Sequence, residues 1–61
     1  MNIQIGNKIE YVTVSFYDLV AFYQQAIVQD IIGDQVKVRR EMDGPYGSFW
    51  IDRSRVTKII D

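Results

Sequence analysis

The chain has 61 residues, a net charge of −1 and neither cysteine nor histidine. That length allows one domain (residues 1–61) with a small core, since a chain this short hides only about 60% of its unfolded surface. Disulfides and an ordinary Cys/His zinc site are excluded, and so are the commonest catalytic bases and nucleophiles.

No metal and no cofactor is therefore expected, and no catalytic residue. Asp and Glu remain, but no spacing forces two carboxylates together in a pocket. No apolar run approaches the ~20 residues that cross a bilayer, and Met1-Asn-Ile-Gln-Ile5 does not read as a signal peptide. The expectation is a cytoplasmic protein that engages no membrane. Without covalent staples, stability from homo-oligomerisation stays open.

Charge is uneven along the chain. Up to Asp34 the only cation is Lys8, set against Glu10, Asp18, Asp30 and Asp34. From Gln35 onward Lys37, Arg39, Arg40, Arg53, Arg55 and Lys58 face Glu41, Asp43, Asp52 and Asp61. The acidic balance argues against strong non-specific phosphate binding, which needs several uncompensated cations. A local basic face in the second half is compatible with it.

In chain order, Ile3 to Ser15 reads as strand with a turn at Gly6-Asn7. Ile9, Tyr11 and Thr13 alternate with Val12, Val14 and Phe16, which gives two apolar faces. The stretch from Ser15 to Ile32 reads in two ways. Ser15-Phe-Tyr-Asp18 has capping-box spacing, and Leu19, Phe22, Tyr23, Ala26, Ile27 and Ile31 fall on one helical stripe. That gives a helix over about 16–32 packed on a small antiparallel sheet, an α+β arrangement. Against it, Ile27, Val28, Ile31 and Ile32 are β-branched and Tyr23 is aromatic, which favours strand.

Read as strand, Ala26 and Val28 share a face that Val36 and Val38 match across a Gly33-Asp34 turn. Lys37, Arg39 and Glu41 then point outward. Asp43-Gly-Pro-Tyr-Gly47 is the clearest turn. Ser48–Asp52 reads as strand, Arg53-Ser-Arg55 as one tight turn, and Val56–Ile60 as a closing strand that returns to the first.

These residues resemble a known pattern. Tyr23, then Ala26-Ile-Val28, then Ile31-Ile-Gly-Asp-Gln-Val-Lys-Val38 is similar to the central hairpin of Tudor and related SH3-like barrels. Trp50-Ile-Asp-Arg-Ser-Arg-Val56 resembles the strand, one-turn helix, strand closure of SH3-like folds, and the ending of retroviral integrase C-terminal domains. The resemblance implies an all-β, five-stranded SH3-like barrel with Ile51 and Val56 in the core and Trp50 toward the rim. Ser15-Phe-Tyr-Asp-Leu19 is superficially similar to the Ala-Leu-Tyr-Asp-Tyr motif of peptide-binding SH3 domains. The paired tryptophans and closing proline of those domains are missing, so binding of proline-rich peptides is not implied. The acidic loop residues of a Tudor methyl-lysine cage have no clear counterpart either.

Two binding surfaces follow from these elements. Lys37, Arg39, Arg40, Arg53 and Arg55 with Tyr46 and Trp50 combine phosphate contacts and stacking rings, the ingredients of single-stranded nucleic-acid binding. Tyr17, Tyr23 and Trp50 are alternatively anchors for a protein partner or for self-assembly. Phe16, Phe22 and Phe49, with no polar handle, are expected in the core. The expected function is a small non-catalytic binding module, its partner a nucleic acid (or nucleoprotein) or a protein.

Overall fold

Alternation of apolar and polar residues at period two builds five strands, all paired antiparallel. The computed structural model describes residues 2–14, 17 and 19–61. The strands are β1 (Lys8–Val14), β2 (Ala21–Ile32), β3 (Gln35–Arg39), β4 (Phe49–Asp52) and β5 (Val56–Ile59), with 3-10 turns at Glu41–Asp43 and Arg53–Arg55. Their order in the sheet is β4-β3-β2-β1-β5. The helix over 16–32 is not formed from Ala21 on: β-branched and aromatic side chains there make β2, the longest strand. The proposed capping box lies partly outside the described residues, because Ser15 and Asp18 do.

Long β2 is shared between two neighbours. Its first part pairs with β1, from Val14↔Ala21 to Lys8↔Ile27. Its last part pairs with β3, from Ile27↔Arg39 to Ile32↔Gln35, with a bulge that leaves Gln29 unopposed between Val28 and Asp30. A second bulge sets Thr57 outside the β1–β5 register, and its hydroxyl donates to the Glu10 carboxylate at 2.7 Å. Extra residues of this kind increase local twist.

The sheet coils, because its opposite edges β4 and β5 are joined by three residues, which reach at most about 10 Å. It does not close: among the described residues no ladder joins β4 to β5, so the expected barrel is an open, coiled sheet. The reason is that the short edge strands meet end to end at the Arg53–Arg55 turn instead of lying side by side.

The core follows the alternation. Ile9 and Tyr11 of β1, Ala26 and Val28 of β2, Val36 and Val38 of β3, Ile51 and Val56 are buried, together with Ile3 from the N-terminal segment. Val28 stands opposite Val38, and Val36 opposite Ile51. Phe49 packs edge-on against Tyr11 with centroids 6.0 Å apart.

Several boundaries differ from the sequence reading. The first strand begins at Lys8, because the chain turns at Ile5-Gly6 and Asn7 N–H donates to the Gln4 carbonyl. Ser48 precedes β4, and Ile60 follows β5. Glu41 leaves the outward row of β3, since the chain turns into the first 3-10 turn there. Phe22 is not in the core but 48% exposed, because β2 runs past the core at that end. Phe16 lies outside the described residues.

Candidate functional site

The outer face of β3 and β4 carries part of the predicted basic set. Lys37 lies directly opposite Trp50 in the ladder, and its ammonium sits 6.0 Å from the indole ring, within cation–π range. Arg39, two residues on, shares this face and reaches the Gly44 carbonyl at 3.4 Å. Trp50 is 42% exposed, so part of its ring is accessible to a ligand.

The other arginines are drawn elsewhere. Arg40 grips Asp43 with two parallel bonds, Nε to Oδ2 at 2.7 Å and Nη2 to Oδ1 at 3.0 Å. Its third nitrogen donates to Gln24 Oε1 at 2.9 Å, the same oxygen that accepts from the Tyr11 hydroxyl at 2.8 Å. The plane also covers Phe49 at 5.6 Å. This guanidinium holds the Asp43 carboxyl below the usual aspartate range. Burial pushes the Tyr11 phenol up, while Arg40 and Arg55 pull it partly back.

Arg55 turns away from Trp50. Its Nε donates to the Val12 carbonyl at 2.9 Å, and the guanidinium lies 5.8 Å from the Tyr11 ring. Arg53 sits at the start of the second 3-10 turn, its N–H bonded to the Asp34 carbonyl at 2.7 Å. Asp52 caps that turn: its Oδ1 accepts from Ser54 N–H and Oγ, which lowers its pKa. Tyr46 projects from the loop before β4 and is almost fully exposed. The geometry therefore brings together Lys37, Arg39 and Trp50. It leaves Arg40 and Arg55 engaged with the fold on other faces.

The surface that composition underplayed is the β1–β2 hairpin. Val14, Tyr17, Leu19, Val20, Phe22 and Tyr23 are all exposed there. Thr13 stands opposite Phe22 and Val12 opposite Tyr23, so apolar groups occupy both faces of the projecting ribbon. Leu19 has φ +54°, a left-handed conformation unfavourable for a residue with a side chain. Of the predicted interface anchors, Tyr17 and Tyr23 lie on this hairpin, while Trp50 lies two strands away across the sheet. The signal for Val14, Leu19, Val20 and Phe22 was available: between Tyr11 and Gln29 the only charged residue is Asp18.

Beside this hairpin is a cavity of about 310 Å³ between β2 and the first 3-10 turn, lined by Lys8, Gln24, Gln25, Ala26, Ile27, Arg40, Glu41 and Met42. Its lining combines the apolar Ala26, Ile27 and Met42 with amides and charged side chains. Among the described residues, no helix is long and apolar enough to cross a membrane, and no three acidic residues are grouped as a metal cage would require. No protein-family model, no curated protein and no solved structure matches this chain.

Proposed function

We propose that this chain is a non-catalytic binding module of the SH3-like kind that engages a protein partner through its β1–β2 hairpin. The strand order and the three-residue 3-10 link before β5 support the SH3-like reading. The observation that carries the function is the exposed apolar set Val14, Leu19, Val20, Phe22 and Tyr23 on a ribbon that projects past the core. Exposed apolar side chains clustered on one element of a small domain support an interaction site, with large aromatics as anchors. The absence of histidine and cysteine from the sequence supports binding over catalysis.

The test is site-specific photo-crosslinking in living cells. A benzophenone side chain at Phe22 is expected to give discrete protein adducts, and the same group at Tyr46 is expected to give few. Equal yields from both positions, or none from Phe22, would remove the hairpin as the binding surface.

A second reading has one specific observation behind it: Lys37 held over Trp50 with Arg39 on the same face. A nucleobase can stack on the exposed part of the indole face while the two cations contact phosphate. Affinity for a short single-stranded oligonucleotide is then expected to fall steeply with added salt. Trp50→Ala should cost about 1–3 kcal/mol, the worth of one stacked base. Binding that is indifferent to salt and to this substitution would exclude the reading.

A further inference from the structure

Resting on the hairpin reading, we propose that the partner is a second copy of this chain, paired antiparallel along the free edge of β2 about Tyr23. The backbone supplies the first argument. Val28 N–H donates to the Asn7 carbonyl at 2.9 Å, and the Val28 carbonyl accepts from Gly6 at 2.8 Å, so its polar groups point toward β1. Directions alternate along a strand, so Phe22, Gln24 and Ala26 also point toward β1, while Ala21, Tyr23 and Gln25 point the other way. On that side β3 reaches only as far as Ile27, because Arg39 ends its ladder. Ala21–Gln25 is therefore an edge inside the sheet's longest strand, with a row of N–H and C=O groups presented outward.

This edge fits its own copy. With Tyr23 on the two-fold axis, Ala21 faces Gln25 of the second copy, Tyr23 faces Tyr23, and Gln25 faces Ala21. Those are the three residues whose polar groups point outward, so each opposed pair can exchange both of its N–H···O bonds. One step further along, Val20 of the second copy falls opposite Ala26. Ala26, Ile27 and Met42 line the cavity there, so the exposed end of one hairpin meets the open cavity of the other.

Charge selects the occupant. Natural sheet edges are commonly guarded by lysine or another charge, yet Asp18 is the only charged residue between Tyr11 and Gln29. Along Ala21–Gln25 two copies therefore meet without like charges opposed. The edge residues Ala21–Gln25 themselves offer a strongly acidic or basic partner no complementary charge; the charges nearest to it, Lys8, Arg40 and Glu41, line the cavity beyond Gln25 and are of both signs.

The experiment is sedimentation equilibrium from micromolar to millimolar protein, with amide hydrogen exchange read on the same samples. The mass is expected to rise from 7.1 kDa toward twice that value, with protection of the Tyr23 and Gln25 amides growing in step. Tyr23→Lys places two ammonium groups across the axis at an exposed position and should weaken the dimer by at least about tenfold. Tyr46→Lys, on a distant loop, should leave it unchanged. Three results would overturn the inference: a monomer at every concentration, a dimer insensitive to Tyr23→Lys, or protection that grows on β4 or β5 instead. A monomer whose Phe22 benzophenone still captures another protein sinks the self-pairing and spares the hairpin reading. A monomer with no adducts of any kind removes both.

Discussion

Arg40 ties Asp43, Gln24 and Phe49 together through a single side chain. One guanidinium satisfies both oxygens of Asp43, shares Gln24 Oε1 with the buried Tyr11, and lies over Phe49. A planar fork can do this and an ammonium cannot. Because Arg40 holds the folded-state pKa of Asp43 below its unfolded value, the pair contributes stability above the unfolded value, about 3.9. That contribution fades as pH falls through the lower, folded value. Asp43→Asn should therefore lower the melting temperature at neutral pH, and the difference from wild type should narrow below about pH 4. Melting curves across that range check it, and a difference independent of pH would show that the charge is not what matters.

At the scale of elements, the turns have specific requirements. Gly33, at φ +57°, begins the two-residue link between β2 and β3. Glycine first in such a link is the type II′ pattern, whose twist matches the strands it joins. Gly47 is required for a different reason. A Cβ there would run into the Cβ of Asp43 and come within 2.6 Å of its carbonyl oxygen. The neighbour is backbone as well as side chain, so the loop itself must shift. Gly47→Ala should displace Glu41–Asp43 and loosen the Arg40–Asp43 grip, at a cost of about 1–3 kcal/mol. Urea denaturation would give the cost, and Arg40 side-chain NMR would report the displacement. An unchanged Arg40 environment would contradict this account.

For the whole molecule, the decisive contact is the one that holds the coiled sheet at its open corner. Val12 stands beyond the last β5 partner of β1, Tyr11, so its carbonyl lacks a ladder bond on that side. Arg55 supplies one from the second 3-10 turn, across 43 residues of sequence. Hydrogen bonds from charged donors contribute about 1.5–3 kcal/mol, a large share of the few kcal/mol that a core of this size provides. Arg55→Ala should lower stability by roughly that amount and speed exchange of amides in β5. If oligonucleotide affinity fell while stability did not, Arg55 would belong to a nucleic-acid surface instead.

What the sequence determined by itself was local. Alternation in Ile9–Val14, Ala26–Val28 and Val36–Val38 sets which side chains face inward, since a strand has only two faces. Gly33-Asp34 and Asp43–Gly47 place turns through backbone freedom and its loss. The absence of cysteine and histidine narrows the chemistry before any fold is known. Even for Ala21–Ile32, where helical and strand spacings compete, β-branched residues point to the observed strand. Tertiary structure alone decided which distant groups meet. Lys37, Arg40 and Arg55 look equivalent in sequence, yet one covers Trp50, one is bound to Asp43 and Gln24, and one completes β1. Those outcomes depend on two bulges, on where β3 ends, and on how far the sheet coils without closing. Each is set by pairing between residues far apart in the chain, and residue type at a single position does not encode it.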